Sequence, residues 1–459
     1  MEYILSFLLL LLNLVNYEHR INKVVFFAAG LVLFCALFIF CMKKSRNFLA
    51  ACIMMLCHTW QISWINIFGD PSTSLQLPWF YLIGVLIAGY ALFNIRSMMK
   101  TKVGSVLLAS FAAIFLIFTY PLATSHSKSE GLKEYIMIGF FLVLTFIAVL
   151  FSSTVPHECK RHIENAFMFA VVVSSALLIF QYVYYTATGR FIFKFAVGQY
   201  NGSSMRSAKL LMEDTSCSTL MLGCGVFYML DRLNKKNWVL YGAMIVVTVV
   251  GLAFTTRRTS VVTLMIVLVL YVLLHYKGAM KKALMLAIIC GIIAVMITYL
   301  LAARPVDDIR LVFDENGRVE YYRNSLEVLL KNPLGIGYDN NYLVDVVGGI
   351  VPHNTVLRWL VMGGYPFAVP MVAIMVLILR ESYVKKFSAE FWIVLYTLIG
   401  SNFIPDILNA RFFVIPCMTV FLFSRAASPV PGAETTAAAP SGGTALPNAG
   451  AAQTKKYRV

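Results

Sequence analysis

Apolar runs of about 20 residues, each closed by a short polar segment, follow one another along nearly the whole chain. A helical run of that length spans the hydrocarbon core of a bilayer. In lipid the backbone must satisfy its own hydrogen bonds, so only helices and closed barrels cross. The runs are 2-17, 24-42, 48-68, 77-95, 103-122, 135-153, 166-186, 216-230, 238-254, 260-276, 283-302, 356-379, 390-404 and 411-424. They predict an all-α fold: a polytopic helical membrane protein with about 12–14 transmembrane helices. Composition agrees. The 459 residues are 59% hydrophobic and only 13% charged, against about half and about a quarter in soluble domains.

The formal net charge of +16 does not point to nucleic acid, because no basic face with interleaved aromatics lies outside the runs. Lys and Arg gather instead in "KKSR" (43-46), "RSMMKTK" (96-102), "DRLNKK" (231-236), "KGAMKK" (277-282) and "RESYVKK" (380-386). With alternating spans these loops fall on one side, which the positive-inside bias assigns to the cytoplasm. Both termini are then cytoplasmic. The first run has no basic region before it and no small-residue cleavage site after it, and reads as an uncleaved span. The opposite side receives 69-77, 187-215 and the large loop 303-352. In that loop "VEYYRNSLEVLLKN" reads as a helix whose Tyr322, Leu326 and Leu329 share a face and pack back onto the bundle. Two domains follow: a transmembrane domain, 1-425, and a disordered Ala/Pro/Gly-rich cytoplasmic tail, 426-459. The nine Cys show no CxxC or zinc spacing and read as small buried hydrophobes.

Charge out of place marks the candidate site. No carboxylate falls near the middle of a run, which disfavours an ion-coupled transporter. In "AFTTRRTSVV", Arg257 and Arg258 occupy a turn on the outer side, where basic residues are disfavoured. They fit either snorkelling at a helix end or an anion site. Arg206 and Arg323 fall on the same side, and each alone would be an ordinary solvated charge. Converging guanidinium groups suit a diphosphate, which wants planar bidentate donors. In "GGIVPHNTVLRWLVMGGYPF", Pro352 suits a first helical turn. His353 then sits at a helix N-terminus, which disfavours imidazolium and favours the neutral form a general base needs. A capping histidine at the interface fits these residues equally well. Asn354 and Arg358, four apart, share a face. The two Gly of "PLGIGYDNNY" suggest a tight turn, without the context of a nucleotide loop.

Taken in order, Arg206, the "TTRRTS" turn, "YYRNSLEVLLKNPLGIGYDNNY" and "PHNTVLRWLVMGG" resemble the O-antigen ligase and O-antigen polymerase superfamily over about residues 200-380. The resemblance implies a glycosyltransferase of GT-C-like architecture in the bacterial cytoplasmic membrane, with its site on the outer face. It implies an undecaprenyl-diphosphate-linked glycan as donor. The acceptor is lipid A core in ligases and another lipid-linked unit in polymerases, with a chain-length regulator as a further partner. It implies inverting chemistry with no metal and no cofactor. His353 takes the role of general base, and Arg206, Arg258 and Arg323 hold the diphosphate. The turn departs from the family's Ser-Arg, so Arg257 stays a candidate beside Arg258. Asn354 orients His353 or caps its helix. Tyr321, Tyr322, Tyr338, Tyr342 and Trp359 are candidates to stack on sugars, or form an interfacial aromatic belt. Glu213 with Asp214, and Asp307 with Asp308, are acidic pairs that lack a further close ligand.

A polymerase is favoured over a ligase. A polysaccharide flippase or other transporter is the alternative, and would need charged residues lining the bundle. A non-enzymatic scaffold comes third, and would tolerate loss of His353 and the arginines.

Overall fold

The computed structural model describes residues 1–424 apart from 64, 70–76, 99–101, 152–153, 191, 193–197, 201–202, 206–209, 211–214, 256, 303–317, 350, 384–386 and 405–412. The predicted tail, Arg206 and both acidic pairs lie outside the described residues. The first eleven helices are α1 (Glu2–His19), α2 (Lys23–Ser45), α3 (Phe48–Thr59), α4 (Trp79–Met98), α5 (Lys102–Thr124), α6 (Lys128–Leu150), α7 (Cys159–Thr188), α8 (Thr215–Arg232), α9 (Trp238–Phe254), α10 (Arg258–His275) and α11 (Ala279–Ala302). Then come α12 (Arg318–Lys331), α13 (Asn340–Val347), α14 (Thr355–Tyr383), α15 (Ala389–Gly400) and α16 (Val414–Ser424). Among the described residues the fold is all-α but for one small antiparallel hairpin, β1 (Gly198–Tyr200) with β2 (Ser203–Met205).

Every predicted run contains a helix, and α12 and α13 are the two that the large loop adds. Five helices among the described residues are long and apolar enough to cross a membrane: α2, α4, α6, α7 and α14. Their surfaces are inverted relative to a soluble protein. Phe93 of α4 is 91% exposed and Val32 of α2 68%, positions that only lipid accommodates in such numbers.

Polar contacts concentrate at two ends of the bundle. At one end the Cys159 thiol meets the Ser45 carbonyl and Lys160 pairs with Glu390 at 2.6 Å. Arg232 pairs with Glu164 there, and the Tyr271 ring lies against Trp392. This end therefore gathers the predicted basic loops after α2, α8 and α10. At the other end lie the α5–α6 turn, the start of α10, the α12–α14 region and the close of α15, joined as described below.

In the large loop α12 packs on α14. The contacting face differs from the one expected: Ser325, Val328 and Leu329 are buried, whereas Leu326 is half exposed. Tyr322 anchors the helix by its hydroxyl to the His353 carbonyl (2.9 Å).

The stretch after α12 docks into a break in α14. Pro366 has no amide to offer the Met362 carbonyl, and the Gly337 amide donates to that carbonyl at 2.7 Å. The Tyr365 amide turns away to the Pro333 carbonyl (3.1 Å), and the Ile336 amide donates to the Val361 carbonyl (3.0 Å). Gly364 permits the break with φ 63° and ψ −169°. A Cβ on Gly335 would stand 2.5 Å from the Gly364 nitrogen, and one on Gly364 would stand 2.4 Å from the Pro333 oxygen. The two backbones meet without side chains between them. "NPLGIG" makes the tight turn expected, the Gly335 amide donating to the Asn332 carbonyl at 2.9 Å, and is a docking segment as well.

Candidate functional site

α14 begins at Thr355, three residues later than Pro352. Asn354 sets that start. Its side-chain oxygen accepts from the Leu357 amide at 3.0 Å, and its carbonyl accepts from the Arg358 amide at 2.9 Å. These are the bonds of an N-cap. Pro352 and His353 form the approach to the helix, so the expectation of Pro352 in its first turn is corrected. The cap side chain also donates from Nδ2 to Asn402 Oδ1 at 3.2 Å.

His353 is half-buried in front of that helix start. Its Nδ1 lies 3.0 Å from the Val351 carbonyl oxygen. A carbonyl oxygen only accepts, so the hydrogen is assigned to Nδ1. In the neutral ring Nε2 then carries the lone pair. The Val351 carbonyl thus selects the tautomer a base requires.

Arg358 turns inward and is 3% exposed. Its guanidinium pairs with Glu134 of α6 and donates to Asn340 Oδ1 at 2.7 Å. The Asn340 amide in turn donates to Glu134. Arg358 does not present itself with Asn354 to a ligand, because the buried carboxylate claims its charge. Tyr338 is fully buried. Its hydroxyl donates to the Phe118 carbonyl (3.1 Å), and its amide donates to Ser125 Oγ (2.7 Å). Trp359 is 2% exposed. Neither ring is a platform for sugars; both fill the interior behind the site. Tyr342 is more open, stacked on His126 at 4.9 Å between centroids.

Arg323 follows Tyr322 on α12. Its side chain is 81% exposed and lies 3.4 Å from Glu327. Arg257 is half-buried and extended at the N-cap of α10, and Arg258 is the first residue of that helix. The start of α10 and the close of α15 share one level, since the Tyr396 hydroxyl donates to the Ser260 carbonyl at 3.4 Å. Asn402, just past α15, then links to Asn354. The structure therefore brings the Arg257–Arg258 turn, Arg323, His353 and Asn354 to one end of the bundle.

The α5–α6 turn completes this end. The Ser127 amide donates to Asp339 Oδ2 at 2.8 Å, while Asp339 Oδ1 caps α13 through the Tyr342 amide at 3.0 Å. Glu134, Asn340, Asp339 and Asn402 were not singled out in the sequence. Asn402 stands in the polar break "GSNFIPD" after an apolar run, which was a usable signal. Glu134 stands in "KSEGLKEYIM", where it reads as a flanking charge.

Fold and site together define an integral membrane protein with a polar, arginine-bearing site built at one end of a helical bundle. Residues 243–372 match the family described as O-antigen ligase, and this match supports the resemblance to the O-antigen ligase and polymerase superfamily. The matched segment runs from α9 into α14 and holds Arg257, Arg258, Arg323, His353, Asn354 and Arg358. It is narrower than the resemblance read from the sequence and leaves out Arg206, Glu134 and Asn402. Comparison with curated proteins gave no match. The matched description points to membrane glycan processing.

Proposed function

We propose that the chain is a membrane glycosyltransferase that moves a glycan from undecaprenyl diphosphate to a sugar hydroxyl of an acceptor, with a repeat-unit polymerase favoured over a ligase. The observation that carries this reading is His353, whose Nδ1 is engaged by the Val351 carbonyl (3.0 Å) at the end of the bundle that also bears the arginine turn. Nε2 of His353 takes the proton of the acceptor hydroxyl. The acceptor oxygen bonds to the anomeric carbon on the face opposite the diphosphate as the bond from that carbon to the diphosphate oxygen breaks, inverting the centre. The charge that develops on the leaving diphosphate needs fixed positive partners. Arg206, Arg257, Arg258 and Arg323 are the residues proposed to supply them. The exposed Arg323–Glu327 contact is of the weak kind that a diphosphate readily displaces.

The test uses purified protein in detergent with an undecaprenyl-diphosphate oligosaccharide and no other acceptor, products being resolved on a gel. A ladder establishes a polymerase. Transfer that begins only when lipid A core is added establishes a ligase. No transfer under either condition overturns the reading and leaves the flippase alternative. Activity that EDTA removes and magnesium restores would overturn the metal-free chemistry.

A further inference from the structure

The Glu134–Arg358–Asn340 cluster lies beside the site, one turn along α14 from the Asn354 cap. Glu134 is 2% exposed and Arg358 3%. The three side chains close a triangle: Arg358 to Glu134, Arg358 to Asn340 at 2.7 Å, and Asn340 to Glu134. Each comes from a different element near its start: the second turn of α6, the first residue of α13 and the first turn of α14. Arg358 is one turn past the Asn354 cap, and its amide donates to the Asn354 carbonyl at 2.9 Å. His353 is the residue before that cap.

We propose that Glu134 is a positioning residue: through Arg358 and Asn340 it fixes the first turn of α14 and thereby the place of His353. This rests on the transferase reading and deepens it, since Glu134 lies outside the matched segment 243–372. The physical ground is a contrast between stability and geometry. A buried ion pair contributes little net stability, and an apolar pair of similar volume replaces it at small cost. Charge-assisted bonds to a planar guanidinium do, however, impose direction, which an apolar contact does not. A general base must lie within hydrogen-bond reach of its proton, and a displacement of about 1 Å costs about 100-fold in rate. The cluster is therefore expected to matter more to rate than to stability.

The experiment compares wild type, Glu134→Asp and the double variant Glu134→Leu with Arg358→Met, measuring kcat, donor KM and Tm in detergent. The expected result for the double variant is a Tm close to wild type, a kcat lower by about 100-fold and an unchanged donor KM. Glu134→Asp keeps the charge and is expected to recover part of the lost rate. A double variant with wild-type kcat overturns the proposal. Should the double variant fail to fold, Glu134→Asp decides: a kcat about tenfold lower at unchanged Tm and KM supports positioning, and wild-type kcat overturns it. Wild-type protein that transfers to no acceptor refutes the transferase reading itself, and this inference falls with it.

Discussion

At the scale of single residues, the site depends on which groups the fold engages internally and which it leaves toward the site end of the bundle. Asn354 is engaged twice: one amide atom caps α14 and the other reaches Asn402. Asn354→Ala is expected to cost about 1 kcal/mol through the lost cap, read as a lower Tm, and to loosen His353, read as a lower kcat. Unchanged Tm would contradict the cap. For the arginines, Arg257→Lys and Arg258→Lys separate the two candidates. The residue that holds diphosphate loses its bidentate fork on conversion to Lys and with it about tenfold in kcat/KM, while the other tolerates the change. Wild-type values in both would remove the turn from the site. His353, Asn354, Arg257 and Arg258 stand out as candidates in the sequence because each is a polar residue interrupting an apolar pattern, whereas Arg206 and Arg323 gain that standing only from the resemblance. Arg358 was legible as a candidate but not in its role. Its partner Glu134 is 224 residues away in sequence, and no local pattern reveals that a distant carboxylate will neutralise it.

At the scale of elements, the α12–α14 connector shows how a short motif can carry structure instead of binding. Proline and glycine in "NPLGIG" and "MGGYPF" announce two irregular segments. That one fills the hydrogen bonds vacated by the other is a tertiary fact, fixed by the missing amide of Pro366 and the close approach of Gly335 to Gly364. Gly335→Ala combines a φ of +85° with a Cβ 2.5 Å from backbone. It is expected to destabilise by more than about 1 kcal/mol, seen as a depressed Tm. Gly242→Ala, where a Cβ meets nothing within 4 Å, serves as the neutral control. Equal Tm in both variants would contradict the docking. Periodicity places Leu326 of α12 inward with Leu329, whereas the buried face runs through Ser325, Val328 and Leu329.

At the scale of the whole molecule, the apolar runs foretold the helices almost one for one, because a bilayer dictates length and composition so strongly. They did not foretell packing. Which helices touch depends on shape, as where α7 packs on α9, α3 and α8, and one apolar run resembles another. The alternation of loops is realised as two polar ends, one basic and one bearing the site. Assigning the basic end to the cytoplasm yields a direct prediction. In a background without the native cysteines, Glu327→Cys is labelled in intact cells by a membrane-impermeant maleimide, once the outer envelope admits it. Lys235→Cys is labelled only after the membrane is opened. Labelling of both positions from the same side would contradict the two-ended arrangement.

The central claim is that this end performs glycosyl transfer with His353 as base, and a single-turnover comparison of wild type with His353→Ala tests it most directly. Both proteins, matched in Tm and in donor binding, are mixed with lipid-linked oligosaccharide and the acceptor that wild type uses, and the first transfer is timed. The predicted result is a rate for His353→Ala lower by about 100-fold or more, with donor affinity unchanged. A variant that transfers at the wild-type rate would contradict the claim.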